Sequence, residues 1–240
     1  MEAPVTFVLA GILVVVFGVE TVFQATQRPD LLARFALSGE GMARGYWWTL
    51  VTHIFLHANL LHLLVNVLGL WFVGPVVEFM LGRVKYVVLF VAAGVCGGLL
   101  QMAFSAPSAE LVGASGSVCG LLLAFTTANP EMPLRALIFF VIPVRTKAWM
   151  LGLGLIVFSL VCAVLHVLPQ IGHLAHLGGA LAGAFLAWLW IPSERARLAG
   201  RPAVSTEVLL ERLAEEGIDS LSREERKQLE ALADRRRAPR

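Results

Sequence analysis

Long apolar runs constrain this sequence more than any other feature. Lipid offers no hydrogen-bond partner to the backbone, so a chain crosses it as helices or as a closed barrel, and these runs have the length of helices. Hydrophobic residues make up 58% of the 240 residues and charged residues only 15%, which is unusual for a soluble domain. The sequence therefore predicts an all-α, multi-pass membrane protein with a bundle of six transmembrane helices, at about 3–23, 59–78, 86–103, 115–128, 148–167 and 172–191.

The distribution of charge divides the chain into two predicted parts. Residues 1–191 contain 15 of the 36 charged residues, and residues 192–240 contain the other 21. We expect the first part to be the membrane core and the second to be a small cytoplasmic tail, an amphipathic helical hairpin. The first tail helix is predicted to begin near Thr206 and to stop at Gly217, and Ser222 and Glu225 have the spacing of a capping box at the start of the second. The tail carries no catalytic motif, and the sequence does not identify its partner.

Charge and cysteine content narrow the range of partners. The formal net charge is +2 and basic and acidic residues nearly balance in both parts, so the sequence does not indicate a nucleic-acid partner. Cys96, Cys119 and Cys162 lie in apolar runs without the spacing of a metal site. We therefore expect no metal and no cofactor.

A glycine-rich octapeptide, residues 113–120, opens the fourth apolar run. A serine at the start of a helix lies near free backbone N–H groups and the positive end of the helix dipole, which would stabilise an oxyanion. Ser115 is therefore a predicted nucleophile. Ser117, two residues further on, lies on nearly the opposite face of the helix, where its hydroxyl can bond back to a carbonyl in the preceding turn. Close helix packing is the alternative interpretation, because Gly116 and Gly120 have the spacing of small residues in packed membrane helices.

The length of the fourth run favours a functional site. Residues 115–128 make about 21 Å of helix, whereas the hydrocarbon core of a bilayer is about 30 Å thick. If Asn129 and Pro130 lie at one surface, Ser115 lies well below the other. Irregular backbone at that depth is tolerated only where it is buried in protein or lines a water-filled cavity.

Two other runs begin with residues that suit the same chemistry. His62 and Asn66 are four residues apart in the second run, so their side chains lie on one helix face and can donate to one point. His176 in the sixth run shares a face with Gly179 and Gly183, which allows close approach to another helix. The third run contains several glycines and is predicted to be a packing helix without chemistry.

Basic residues in the short loops indicate the orientation. Arg83 and Lys85 follow the second run and three basic residues follow the fourth, whereas none lies between the fifth and sixth. With six spans, the positive-inside rule places both termini in the cytoplasm. Ser115, His62 and His176 then all lie toward the outer side.

Three motifs together resemble the rhomboid family of intramembrane serine proteases, and each lies on the expected span in the expected order. They are Gly113-x-Ser115-Gly116 in the fourth run, His62-x-x-x-Asn66 in the second and Ala175-His176-x-x-Gly179 in the sixth. The resemblance covers about residues 44–191. It implies a six-helix bundle in a bacterial-type cell membrane that hydrolyses a peptide bond in or near the transmembrane segment of a protein substrate.

The resemblance also implies roles for individual residues. Ser115 would be the nucleophile and His176 the general base. The oxyanion hole and the positioning of substrate would involve His62, Asn66, the Ser115 backbone N–H, Gly113 and Gly116. Because no carboxylate lies near His176 in the sequence, we expect a Ser-His dyad without an acidic third member.

Two positions depart from the family pattern. Thr49 follows Trp48 where the family usually has arginine, which affects the polar anchoring of the first loop. Cys119 stands where a bulky aromatic residue often supports the histidine, so His176 would be held more loosely or supported from elsewhere. Neither departure removes a reacting group.

Two other functions remain open at this point. One is a proteolytically inactive rhomboid-like protein that binds membrane segments, which would require Ser115 or His176 to be absent. The other is a transporter or metal protein that uses the histidines at 57, 62, 173 and 176, since imidazole is a good ligand for transition metals. The latter lacks carboxylate or thiolate partners.

Overall fold

The chain divides into two compact units, residues 1–194 and 195–240. The computed structural model describes residues 3–26, 34–138, 142–168, 170–199 and 206–222, together with residues 225, 226 and 229. Within these ranges the first unit consists of helices, short loops and one β-hairpin, and the second contains short helices.

The helices of the first unit follow the apolar runs. They are α1 (Pro4–Ala25), α2 (Gly39–Ala43), α3 (Thr49–Thr52) with a 3-10 turn (His53–Phe55), α4 (Leu60–Leu81), α5 (Arg83–Ala103), α6 (Ser115–Ala128), α7 (Ala148–Val164) and α8 (His173–Ala199), which continues past residue 194. The bounds predicted for the fourth span coincide with α6, whereas α8 is longer than its predicted span.

Four of the described helices are long and apolar enough to cross a membrane: α1, α4, α5 and the 173–191 portion of α8. The apolar helices α6 and α7 are shorter, with 14 and 17 residues. The structure therefore confirms a helical membrane bundle, and the number of spans stays a prediction.

The segment after α6 differs from the prediction. The sequence alone predicts a loop over residues 129–147, with the apolar residues 137–143 along the membrane interface. Instead, β1 (Pro133–Ile138) and β2 (Ile142–Lys147) form an antiparallel hairpin in which Arg135 pairs with Arg145. The physical reason is the β-branched residues at 138, 142, 144 and 146, which favour extended strands. Residues 139–141 lie outside the described part of the chain.

Helix α1 is attached to the bundle by a carboxyl group near each end. The Glu78 side chain accepts hydrogen bonds from Val5 N (3.1 Å), Thr6 N (2.8 Å) and the Thr6 hydroxyl (2.8 Å), and so satisfies N–H groups that begin a helix without partners. Glu20, which the sequence alone places at the membrane interface near the end of the first apolar run, is instead only 5% exposed and accepts a hydrogen bond from His57 N. Polar contacts thus fix both ends of an otherwise apolar helix.

Helices α6 and α8 touch through their backbones. A Cβ atom on Gly179 would clash with the backbone oxygen of Gly116, and one on Gly183 would clash with that of Gly120. The close approach predicted from the glycine spacing is therefore confirmed. We call this four-glycine contact the glycine seam.

The core lies around α4, α5 and α6. Leu70, Leu89, Phe90 and Leu121 are fully buried there. Many large apolar side chains elsewhere on the helices are exposed, including Trp188. In a membrane protein such surfaces face the acyl chains, so their exposure is consistent with lipid contact.

The second unit is described only in part. Helix α9 (Thr206–Glu216) ends before Gly217, as predicted, and a 3-10 turn (Ile218–Ser220) follows. The predicted capping box forms, since Ser222 N donates to Glu225 Oε2 (2.8 Å) and Glu225 N donates to Ser222 Oγ (3.3 Å). Most of the predicted second tail helix lies outside the described residues.

Substitution of a glycine in the seam should destabilise the fold. Overpacking typically costs about 1–3 kcal/mol, so Gly183→Ala should lower the thermal midpoint of unfolding in detergent by several degrees. Gly154→Ala in α7 is the matched control, because a Cβ there has no atom within 4 Å. It should leave the midpoint unchanged or raise it, since glycine weakens a helix interior by about 0.5–1 kcal/mol. Equal midpoints for both variants would contradict the seam.

Candidate active site

Ser115 and His176 face each other across the seam. Ser115 is the first residue of α6, and His176 lies in the first turn of α8. The Ser115 Oγ is 2.9 Å from His176 Nε2, so the hydroxyl donates to this nitrogen when the imidazole proton is on Nδ1. At this distance a serine hydroxyl could pass its proton to an imidazole nitrogen.

The start of α6 leaves several backbone donors next to this pair. The first helical hydrogen bond runs from Val118 N to Ala114 O (2.9 Å). The N–H groups of Ser115, Gly116 and Ser117 therefore precede the hydrogen-bonded part of the helix. Because the helix dipole is positive at this end, developing negative charge near Ser115 is stabilised.

His62 lies against Gly113, two residues before Ser115. A Cβ on Gly113 would be 2.5 Å from His62 Cε1 and 2.6 Å from Nε2, and Gly113 has a φ of +120°, so glycine is required here for both space and conformation. The Asn59 side chain caps the start of α4 by accepting from His62 N (2.9 Å). On the other side of the loop, Gly113 N donates to His53 O (2.8 Å). The structure thus brings His62 beside the dyad.

Asn66 is buried below His62 on the same helix. Its Nδ2 donates to His62 O (3.0 Å), one turn earlier. This bond is internal to α4 and does not point into the site, although the amide carries a second N–H. Asn66 differs from the other predicted site residues because its hydrogen bond in the described structure stays within its own helix.

The His176 ring is supported by other rings. Cys119 stands where the family often has an aromatic residue, and here His173 and Phe158 supply the ring contacts. The ring of His173 lies edge-on to that of His176, with centroids 6.1 Å apart, and Phe158 of α7 packs edge-on against His173 at 6.2 Å. His173 is itself fixed by a 2.9 Å hydrogen bond from Nε2 to Val167 O. No described carboxylate is hydrogen bonded to His176.

Gln101 corrects the prediction that the third run has only a packing role. Its Oε1 accepts from Leu174 N (3.1 Å) and Ala175 N (3.2 Å), and its Nε2 donates to Ser105 Oγ (3.0 Å). Gln101 of α5 therefore caps the first turn of α8, which carries His176. A cavity of about 190 Å³ adjoins this cap. The only signal in the sequence was a glutamine near the end of an apolar run.

The first loop is anchored through backbone carbonyls. Trp48 Nε1 donates to Arg34 O (2.8 Å), and the Thr52 hydroxyl donates to Phe35 O (2.8 Å). Thr49, where the family usually has arginine, is fully buried and donates to Tyr46 O (2.7 Å). The anchoring that the Thr49 departure put in question is thus supplied by other hydrogen bonds.

Ser117 faces away from His176, as its spacing from Ser115 predicts. It is fully buried, and its hydroxyl lies 2.5 Å from the position that a Cβ on Gly94 of α5 would occupy. Its Oγ has no hydrogen-bond partner within the described structure. The predicted bond to a carbonyl in the preceding turn is therefore not formed.

The histidines do not form a metal site in the described part of the chain. No three His, Cys, Asp or Glu side chains there are arranged to hold a metal ion. The rings of His57 and His62 are in edge contact, with centroids 5.2 Å apart. These histidines therefore contact each other as packed rings.

Comparisons with known proteins agree with the motifs. A sequence profile of the Rhomboid domain matches residues 44–193. The chain is 34% identical over 167 residues to the Rhomboid protease GluP of Bacillus subtilis, which covers 68% of this chain and 30% of GluP. It is 33% identical over 153 residues to RHOMBOID-like protein 1 of Arabidopsis thaliana, which covers 60% of this chain and 34% of that protein.

A third relative gives the same result. The chain is 30% identical over 146 residues to the Rhomboid protease GlpG of Salmonella choleraesuis, which covers 59% of this chain and 48% of GlpG. The matches thus span half or less of the length of these three curated relatives. The matched domain occupies more than half of the chain and includes both members of the Ser115–His176 pair. The chain is an integral membrane protein and belongs to the rhomboid family.

Loss of the Gln101 cap should loosen the start of α8. Two hydrogen bonds worth about 1 kcal/mol each are removed in Gln101→Leu, so the amide protons of Leu174 and Ala175 should exchange roughly tenfold faster or more. Hydrogen exchange followed by mass spectrometry measures this. Ser105→Ala is the control, because it removes a partner of Gln101 and leaves the cap in place. Unchanged exchange in Gln101→Leu would show that the cap does not stabilise the helix end.

Proposed function

We propose that this protein is an intramembrane serine endopeptidase that acts by a Ser115–His176 dyad. The 2.9 Å contact between Ser115 Oγ and His176 Nε2 is the observation that carries the proposal. Ser115 lies at the start of a helix, where backbone N–H groups are free, and the chain belongs to a family in which curated relatives are named rhomboid proteases. Both reacting groups are present, so nothing specific favours the inactive rhomboid-like alternative.

The reaction follows from the positions of these groups. Ser115 Oγ attacks the carbonyl carbon of the scissile peptide bond while its proton passes to His176 Nε2. The resulting tetrahedral intermediate breaks down when His176 returns that proton to the leaving amine, which leaves an ester on Ser115. Water then attacks the ester with His176 again acting as base, and the carboxyl product leaves as Ser115 is regenerated.

The oxyanion of the intermediate forms between α4 and the start of α6. The proposed donors are His62, the Ser115 backbone N–H and the second N–H of Asn66. His62 is already beside Gly113, so it needs no large movement to reach an oxygen bound at Ser115. Gly113 and Gly116 keep the backbone on both sides of Ser115 free of side chains, which leaves room for the extended peptide of the substrate.

The proposed substrates are transmembrane proteins, cleaved in or near the membrane segment. We further propose six spans, with α6 as a short crossing buried in the bundle and α7 as a short crossing whose side chains are mostly exposed. Both termini are cytoplasmic, because the basic residues near α5 and in the β-hairpin lie at the end opposite to Ser115. The cytoplasmic tail predicted over residues 192–240 then begins with the end of α8, which runs to Ala199, and continues as the proposed helical hairpin.

The first test of the proposal concerns the choice of serine. Ser115→Ala and His176→Ala should each abolish cleavage of a model transmembrane substrate, and Ser115→Ala should also abolish labelling by a fluorophosphonate probe. Ser117→Ala should retain activity, because Ser117 faces α5. It should also be at least as stable as the parent protein, since its hydroxyl is buried without a partner.

The outcomes separate the alternatives. A cleaving Ser115→Ala with an inactive Ser117→Ala would mean that the nucleophile is Ser117. If all three variants cleave, the protein is not a dyad protease. Folded parent protein that neither cleaves nor reacts with the probe would favour an inactive member of the family.

The second test concerns the oxyanion hole. His62→Ala and Asn66→Ala should lower kcat, by about 10²-fold or more for the stronger donor, because these contacts strengthen as negative charge develops on the substrate oxygen. The KM should change little. Steady-state kinetics on a fluorogenic transmembrane peptide in detergent give both constants, and an unchanged kcat in both variants would exclude α4 from the mechanism.

A further inference from the structure

Glu20 is a buried carboxyl group that the proposed reaction does not use. It lies near the end of α1 and is 5% exposed. Its two oxygens are 3.2 Å and 3.0 Å from the backbone nitrogen of His57, which is 37 residues away in the sequence. Within the described residues Glu20 forms no ion pair. Burial of a carboxyl group is costly unless it is hydrogen bonded. Within the described residues, the backbone N–H of His57 supplies that hydrogen bond to Glu20.

The partner of Glu20 is the backbone of His57 rather than its ring. Burial, together with the neighbouring His62 ring, lowers the pKa of His57 to about 4, so the imidazole is neutral at neutral pH. The contact therefore does not depend on an imidazolium charge. What Glu20 determines is the path of the backbone between the 3-10 turn and the start of α4.

The His57 ring transmits this restraint to His62. His57 is 1% exposed, and its ring packs edge-on against that of His62 with the planes at 67°. Gly113 also packs against the His62 ring and restricts its orientation. A shift of the His57 backbone would therefore release the His62 ring on the side where His57 packs.

We infer that Glu20 is a positioning residue for the oxyanion hole: its carboxyl group fixes the backbone of His57, and the His57 ring holds His62 in the orientation that meets the substrate oxygen. This inference rests on the proposed function and extends the functional unit to α1, which contributes no reacting group. Glu20 touches neither substrate nor Ser115 and acts only through His57 and His62.

A purely structural role is the competing explanation, and the chain supplies a matched control. Glu78 is a second buried carboxyl group, 4% exposed, and it also attaches α1 to the bundle, but at the other end of that helix and away from His62. If Glu20 only anchors α1, Glu20→Ala and Glu78→Ala should behave alike. Both should then lower thermal stability and leave the chemistry unchanged.

The first measurement separates kcat from KM at a temperature below the unfolding midpoint of every variant. We expect Glu20→Ala to lower kcat about tenfold with little change in KM, because small displacements of a group at a reaction centre are costly. Glu20→Gln should retain most of the activity, since its amide oxygen still accepts from His57 N. Glu78→Ala should lower the midpoint and keep kcat within about twofold of the parent value.

The second measurement is a double-mutant cycle with His62. In a His62→Ala background, Glu20→Ala should lower kcat by less than about twofold, because the group through which Glu20 acts is already absent. Glu20→Asp, which shortens the side chain by one methylene, provides a milder variant for the same cycle if Glu20→Ala does not fold. Its loss of kcat should also disappear in the His62→Ala background.

Several results would overturn the inference. It fails if kcat of Glu20→Ala equals that of the parent protein, if Glu78→Ala loses kcat to the same extent, or if the effects of Glu20 and His62 multiply in the double variant. Failure of the proposed function is distinguishable, because it would appear as cleavage by Ser115→Ala. If Ser115→Ala is inactive while folded Glu20→Ala is fully active, only the role of Glu20 is wrong.

Discussion

The backbone contact between α6 and α8 is the constraint on which the site depends. Two helices whose facing residues carried side chains would be held too far apart for a serine on one to reach a histidine on the other. In the glycine seam the facing positions are Gly116 and Gly120 on α6 and Gly179 and Gly183 on α8. The short distance between Ser115 and His176 is a consequence of this contact, and the remaining helices build a supporting frame around it.

The second general feature is that polar groups near helix ends are satisfied by other helices. The start of α1 is capped by Glu78 of α4, and the start of α8 is capped by Gln101 of α5. The reason is physical: N–H groups at a helix start have no partner within the helix, and lipid supplies none. Each cap therefore fixes the position of one helix along the axis of its neighbour. For α8, that position determines where His176 lies.

The sequence predicted those parts of the structure that follow from local periodicity and spacing. The bounds of α6, the glycine faces of α6 and α8 and the opposite directions of Ser115 and Ser117 each depend on residues within a few turns of each other. The pairing of the two glycine faces joins helices that are far apart in the sequence, and the spacing within each helix does not predict it. Glu20 and Gln101 were not assigned their contacts, because their partners lie 37 and about 70 residues away and no periodic pattern indicates which backbone N–H a buried side chain will reach.

The β-hairpin and Thr49 also show that local sequence patterns do not predict contacts between distant segments. The apolar and β-branched residues between α6 and α7 are compatible with a loop at the interface as well as with paired strands, and only the pairing of the two segments decides between these. Thr49 departed from the family pattern, but the hydrogen bonds of Trp48 and Thr52 to distant carbonyls supply the anchoring. A loss at one position can be offset by contacts that a comparison of single positions does not reveal.

A seam made of backbone atoms has consequences for motion. Side chains at an interface can change rotamer and so allow two helices to slide or separate, whereas glycines have no rotamers to exchange. Helices α6 and α8 are therefore expected to move as one rigid body, with Ser115 and His176 at a constant separation while the protein fluctuates. Any opening that admits a substrate has to occur along boundaries packed by long side chains, where alternative conformations are accessible.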